Sequence, residues 1–194
     1  MRRTKIVMGL ATVSLVISGI ATVGCSNQTE QGEVSESVSD SAQLAETRGW
    51  QTEGTLAKAC EKAEVEPFIM PARFTAGGIE FGKDVRYWYA GCWVMAQYEA
   101  EGNEVLVTKW PTATHQGEVM GIVPNLNGMV EWKASFDGTN HVYHGPHDNA
   151  VRVAEWEDEG SQMSYLIVCR ETKGSGDFSM TDAEAVSIIT GIED

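Results

Sequence analysis

The chain has 194 residues, and its 28 acidic residues outnumber its 14 lysines and arginines, which gives a formal net charge of −14. A surface this acidic repels phosphate groups, which argues against binding to nucleic acids and against adsorption to anionic lipid head groups. About 145 residues from Gly49 onward are enough for one domain with a real hydrophobic core.

The first 24 residues have the layout of a secretory signal. Arg2, Arg3 and Lys5 form a positive start, and the run from Ile6 to Gly24 carries no charge. A run of this length could also cross a bilayer as a helix, so an uncleaved membrane anchor is the alternative. Removal of the leader would take the net charge from −14 to −17.

The cysteine that follows favours a lipid anchor. The stretch "TVGC" resembles the lipobox of bacterial lipoproteins, in which the cysteine is acylated and becomes the new N-terminus. Val23 and Gly24 fit that pattern, whereas Thr22 stands where lipoboxes prefer leucine. The resemblance implies lipidation of Cys25 and attachment to the extracytoplasmic face of the cell membrane.

A polar segment separates this cysteine from the rest of the chain. Residues 26–48 contain no aromatic residue and are rich in serine, glutamate and glutamine. Such a composition buries too little apolar surface to order itself, so residues 25–48 are predicted to be a disordered tether. A single domain is expected over residues 49–194.

The domain begins with a predicted helix. Apolar residues recur at helical spacing along "TLAKACEKAEV", which directs Cys60 towards the core, and Thr55 or Thr52 could cap the helix. The chain closes with a second helix, because Thr181 and Glu184 form a capping box and Gly191 is placed to end it.

Between the helices the apolar period changes from helical to two residues. "CWVMAQY" and "EVLVTKW" flank a turn, as do "NHVYH" and "AVRVAEW", and "MVEWKASF" and "QMSYLIV" alternate in the same way. One apolar and one polar face indicate an antiparallel sheet that is wetted on one side. The predicted fold is therefore α+β, a curved antiparallel meander of about six or seven strands with an N-terminal helix and a short C-terminal helix.

Several of these stretches together resemble a known domain family. They are the helix ending near "PFIMP", the hairpin "WVMAQYEAEGNEVLVTKW", the stretch "VAEWEDEGSQMSYLI" and the closing "SMTDAEAVSII". The set resembles an uncharacterised domain found on lipoproteins and membrane-anchored anti-sigma-type proteins of Gram-positive bacteria, and it is similar to part of the LolA and RseB lipoprotein-carrier fold. This resemblance covers roughly residues 54–192 and implies a fold and a location, with no reaction and no catalytic residues.

The three further cysteines lie on predicted apolar faces, and an extracytoplasmic location would permit a disulfide. A bond between Cys92 and Cys169 is favoured, although Cys60 could pair with either of them. No CxxC pair occurs, so neither a zinc ribbon nor thioredoxin-type chemistry is indicated.

A histidine-rich loop, "HVYHGPHDN", raises the hypothesis of a metal site. His141, His144 and His147 are suitable ligands for zinc or copper, and His115 could supply a distant fourth. In a strand, however, His141 and His144 would point to opposite faces, so an exposed hairpin loop is the favoured interpretation.

Two tryptophans are candidate ligand contacts. Trp93 and Trp110 are predicted to lie opposite the more apolar faces of their strands, where they would be partly exposed. The alternative is a sheet that is covered on both sides.

The sequence predicts no enzyme and no cofactor. It contains no nucleophile elbow, no cysteine beside an evident histidine partner and no phosphate-binding glycine loop, and its carboxylates are scattered as solvating groups usually are. The LolA-like resemblance implies a half-open apolar cavity between sheet and helices that binds a lipid or a peptide. The alternatives are a sensor or interaction domain for another envelope protein and, more weakly, a metal-binding lipoprotein.

Overall fold

The structure is a computed structural model that describes residues 49–114, 122, 125–136, 138–172 and 178–193. The predicted signal at 1–24, the lipidation site at Cys25 and the tether up to residue 48 lie outside the described residues, as does His115. Within the described ranges, neither helix has the length and apolar character that crossing a bilayer requires.

The first helix, α1, spans Leu56–Ala63 and confirms the prediction for this stretch. Thr55 caps it, because its side-chain oxygen accepts a hydrogen bond from the backbone N–H of Lys58 at 3.3 Å. Cys60 is fully buried on the face that packs against the sheet, as the apolar spacing predicts.

The described residues form ten strands besides the two helices. A two-stranded hairpin comprises β2 (Phe74–Ala76) and β3 (Ile79–Phe81). The main sheet comprises β1 (Gln51–Glu53), β4 (Asp84–Ala90), β5 (Trp93–Ala100), β6 (Asn103–Pro111), β7 (Val130–Phe136), β8 (Thr139–Gly145), β9 (Val153–Asp158) and β10 (Met163–Glu171). The helix α2 (Asp182–Ile189) follows the last strand.

The α+β class is confirmed, but the predicted curved meander of six or seven strands is wrong. The main sheet has eight strands in the order β1-β4-β5-β6-β10-β9-β8-β7. After β6 the chain crosses to β7 at the far edge of the sheet, and β8, β9 and β10 then return towards the middle. The last of them, β10, pairs with β6, with Met163 opposite Pro111 at one end and Glu171 opposite Asn103 at the other. Two meanders therefore meet in the middle of one antiparallel sheet.

One face of the sheet carries the main core. The two helices and the β2–β3 hairpin cover this face. Within the hairpin Phe74 stacks on Phe81, and it meets the sheet residue Tyr98 edge-on. Alternate residues of the central strands point into this core, including Ala96, Val107 and Ile167. Their exposure is close to zero, as expected for a close-packed interior.

The opposite face is also buried, which corrects the prediction of a wetted sheet. A second apolar cluster lies there, formed by Trp50, Trp88, Trp93, Met95, Leu106, Trp110, Ile122, Val153, Leu166 and Val168. The physical reason lies in the central strands, where consecutive residues such as Leu166 and Ile167 are both apolar. A strand with this composition is buried on both sides.

The second helix is tied to the small hairpin through Glu184. The predicted capping box is confirmed, because Thr181 Oγ1 accepts from the N–H of Glu184 and the Glu184 carboxylate accepts from the N–H of Thr181. The same carboxylate accepts from the N–H groups of Gly77 at 3.2 Å and Gly78 at 3.1 Å. Partial burial raises the pKa of Glu184, but the donors from Thr181, Gly78 and Gly77 outweigh it and hold the pKa below its usual value.

Replacement of Glu184 by glutamine should therefore destabilise the protein in a pH-dependent way. We expect a loss of about 1–2 kcal/mol in the free energy of unfolding at pH 7. Because the folded pKa is depressed, the contribution of the carboxylate is present above its unfolded pKa and is lost as the pH falls through the folded value. Urea unfolding at pH 7 and at about pH 3 should show the difference disappearing at the lower pH. The exposed Glu61→Gln variant is the control and should show little difference at either pH.

Candidate binding cleft

A row of aromatic rings crosses four neighbouring strands on the main-core face. His141 of β8 and Tyr165 of β10 are the direct cross-strand partners of Trp156 of β9. The Trp156 and Tyr165 rings stack with centroids 4.9 Å apart, and Phe136 at the end of β7 stacks on His141 at 3.9 Å. These four residues, Phe136, His141, Trp156 and Tyr165, are called the aromatic row below.

A buried lysine continues the row on the next strand. Lys109 of β6 is the cross-strand partner of Tyr165, and its Nζ lies 5.5 Å from the centre of that ring. The same Nζ lies 4.8 Å from the centre of the Phe68 ring. Attraction between an ammonium and a ring face is strongest where water is excluded, and this lysine is fully buried.

A cleft of about 470 Å³ opens beside the aromatic row, at the end of β9. Residues from both faces of the sheet border it, because the strands end there. It is lined by Trp110, Gly138, Thr139, Asn140, Val142, Glu155, Trp156, Glu157, Asp158, Glu159, Ser164 and Tyr165. Its size falls within the range of cavities that hold small ligands.

The border of this cleft is acidic. Of its four carboxylates, Asp158 is held in the β9–β10 turn, where it accepts hydrogen bonds from the N–H of Gly160 and the hydroxyl of Ser161. Glu157 and Glu159 are exposed. The described lining residues include four carboxylates and no lysine or arginine, so the lining favours a cationic group.

Two further clefts adjoin the first. One of about 590 Å³ shares residues 157–159 and adds Pro111, Thr112, Ala113 and Gln162. The other, of about 320 Å³, runs along the aromatic row to the C-terminal end of α2, where Ile189 and Ile192 contribute to its lining. This third cleft shares Thr139, Trp156, Asp158 and Tyr165 with the lining of the first.

The structure places Trp93 and Trp110 inside the second cluster. Each is 3% exposed, and their rings stack with centroids 4.5 Å apart. The expectation that both are partly exposed is therefore wrong, because the face that carries them is covered. Trp110 borders the cleft of about 470 Å³, whereas Trp93 does not line it.

The structure does not bring the three histidines together as metal ligands. His141 and His144 point to opposite faces of β8, and the exposed His147 lies beyond the strand, with its Nδ1 3.0 Å from the carbonyl oxygen of Asp148. His144 Nε2 lies 3.4 Å from Glu155 Oε1. Across the described ranges, no group of three or more histidine, cysteine or acidic side chains is placed to hold a metal.

The favoured Cys92–Cys169 disulfide is also wrong, since both residues are free thiols, as is Cys60. Cys92 contacts the second cluster and Cys169 lies in the main core, so they occupy opposite faces of the sheet. Across the sheet Cys169 lies opposite Val105, which in turn lies opposite Tyr98 of β5. Tyr98 is six residues from Cys92, so the two cysteines are separated by roughly 20 Å along the strand direction. No disulfide can span that distance.

Burial also decides the reactivity of two of these thiols. Burial raises the pKa of Cys169 to about 12 and raises the pKa of Cys60 as well. Both therefore stay protonated at neutral pH, and a protonated thiol is a poor nucleophile. Neither cysteine is suited to nucleophilic catalysis.

The acidic border of the cleft is the feature that the sequence analysis missed. Its carboxylates were interpreted as scattered solvating groups. The available signal was local, because Glu155, Glu157, Asp158 and Glu159 surround Trp156 within five residues.

The comparisons with known proteins give no match. No family model, no curated protein and no solved structure matches this chain. The resemblance to the LolA and RseB fold and to the lipoprotein domain family therefore stays a prediction from the sequence.

Proposed function

We propose that this protein is a lipid-anchored, extracytoplasmic binding protein without catalytic activity, and that its cleft holds a peptide segment carrying a cationic side chain. The anchor is supported by the charged start, the apolar run and Cys25 of the leader. The ligand class is supported by one observation above the others. Four carboxylates, those of Glu155, Glu157, Asp158 and Glu159, crowd the border of the cleft, and the described lining includes no lysine or arginine.

A cationic side chain would be stabilised at this site by charge. The exposed carboxylates of Glu157 and Glu159 supply negative charge at the border of the cleft. The buried rings of Trp156 and Tyr165 offer little open ring surface, because they stack on each other and the Lys109 ammonium already lies over the ring of Tyr165.

A peptide fits these surroundings better than a lipid does. The space between the helices and the sheet, where the resemblance implies an acyl cavity, is occupied by buried side chains such as Phe81, Tyr98 and Ile188. The carboxylates around the cleft would repel the phosphate or carboxylate of a lipid head group. A segment of another envelope protein could make the same contacts, so the interaction-domain alternative uses this same site.

Neutralisation of the cleft tests this proposal. The full chain is titrated with a short lysine-containing peptide, with the same peptide carrying glutamate, and with a fatty acid, and tryptophan fluorescence is followed. The E157Q/E159Q variant should bind the lysine peptide roughly two- to thirtyfold more weakly, since each exposed charge pair contributes roughly 0.2–1 kcal/mol. Raised salt should reduce the affinity of the unmodified chain.

The matched control is E61Q/E66Q, which removes two exposed carboxylates outside the lining of the cleft. This control should bind the lysine peptide as the unmodified chain does. Equal weakening in both variants would attribute binding to overall charge and refute the cleft. Tight binding of the fatty acid in place of the peptide would refute the ligand class.

A further inference from the structure

We propose that β7 is a self-association edge, through which two copies of this chain join their sheets in antiparallel pairing. This inference is independent of the cleft and of its ligand. The main sheet has two edges, β1 and β7, and β1 is only three residues long. The edge formed by β7 has seven residues, and Val130 on it is among the few large apolar side chains that are exposed, at 42%.

The backbone of β7 offers hydrogen-bonding groups along this edge. The β7–β8 hairpin closes with Phe136 opposite Thr139, so every second residue from Phe136 backwards bonds to β8. The residues between them, Glu131, Lys133 and Ser135, direct their N–H and C=O groups outward. No described strand pairs with that side of β7.

The charges on this edge match a second copy of the same strand. An antiparallel pair with its two-fold axis at Trp132 places Glu131 of each copy directly opposite Lys133 of the other. Both side chains are exposed, and opposite charges at direct cross-strand positions stabilise a pair, whereas like charges destabilise it. The same register sets the exposed Val130 against Ala134 of the other copy. A lone lysine on an edge strand usually prevents pairing, but here its opposite-charge partner lies two residues away on the same edge.

This register predicts a reciprocal result from two single charge reversals. In a dimer of the E131K variant, lysine stands opposite lysine at both 131–133 contacts, and in a dimer of K133E, glutamate stands opposite glutamate. Each variant should therefore dimerise at least about tenfold more weakly than the unmodified chain. An equimolar mixture of the two variants restores opposite charges at both positions. The mixture should therefore form a dimer about as tightly as the unmodified chain does.

Sedimentation equilibrium of the full chain in a density-matched detergent, at about 0.15 M salt, measures these associations directly. The exposed pair E61K and K62E on α1 is the matched control and should leave dimerisation unchanged. Urea unfolding of each variant identifies any loss of folding that could mimic weaker association. The proposal would be overturned if the unmodified chain stayed monomeric. Binding of an extended peptide at β7 by such a monomer would count as the same negative result. The proposal would also be overturned if the mixture associated no more tightly than either variant alone, or if neither charge reversal weakened the dimer.

Discussion

Replacing Arg170 by methionine should lower the free energy of unfolding by about 3–5 kcal/mol, because it removes the guanidinium from a buried carboxylate. Arg170 Nε lies 2.8 Å from Glu104 Oε2, and the two residues are direct partners across β10 and β6. The Glu104 side chain has no exposed surface. Because water does not reach the Glu104 carboxylate, its negative charge is stabilised chiefly by its partners in the protein, including Arg170.

Two further variants separate this cause from the loss of packing. The double variant R170M/E104M removes both charges and should recover most of the lost stability, since a buried ion pair is often replaceable by apolar residues of similar volume. R86M removes the analogous arginine from Glu99, whose ion pair is more exposed, and should cost less than about 1 kcal/mol. Urea unfolding curves give all three values. If R170M cost as little as R86M does, the burial of Glu104 would be refuted.

Replacing Trp93 by alanine should cost about 3–5 kcal/mol, because the side chain is buried and stacked on Trp110. The removed ring leaves a cavity in the second cluster that the neighbouring strands can fill only in part. Trp93→Phe keeps most of that volume. It also removes no hydrogen bond to the described residues, since the Trp93 indole nitrogen has none there, so it should cost only about 1 kcal/mol.

The Trp93 result also discriminates between two interpretations of this face of the sheet. An exposed ligand contact would lose binding on truncation with a stability change of less than about 0.5 kcal/mol. Denaturant unfolding and peptide titration of the same variant give both quantities. A stable Trp93→Ala protein that no longer binds peptide would contradict the buried second cluster.

Local signals predicted the helices well, because their causes lie within a few residues. Thr55 caps α1 through the N–H three residues later, and Thr181 and Glu184 satisfy each other across the same spacing. The burial of Cys60 follows from the same periodicity. These interactions need no knowledge of the rest of the fold.

Strand order and the coverage of the second face required non-local information. The alternation around Tyr165 and Ile167 is correct, yet Leu166 and Val168 between them are apolar too, and that continuous run is the signature of burial on both sides. No local sequence pattern indicates that β10 lies between β6 and β9 in the sheet. Pairing of Cys92 with Cys169 was excluded by this placement.

The cleft was beyond prediction for a similar reason. Glu155 to Glu159 are contiguous in the sequence, but Trp110, Asn140 and Tyr165 reach the cleft from three other strands. Only the strand order brings those residues beside the carboxylates. The aromatic row likewise depends on the β8–β9–β10 register rather than on spacing along the chain.

The most direct measurement of the cleft's role is a ¹H–¹⁵N correlation spectrum of the full chain in detergent, titrated with the lysine-containing peptide. We predict saturable shifts of the backbone amides of residues 155–159 and of Trp110, which line the cleft. The amides of α1, on the covered main-core face, should not shift. Saturable shifts confined to residues outside the three clefts, or none at any peptide concentration, would contradict the assignment of this cleft as the binding site.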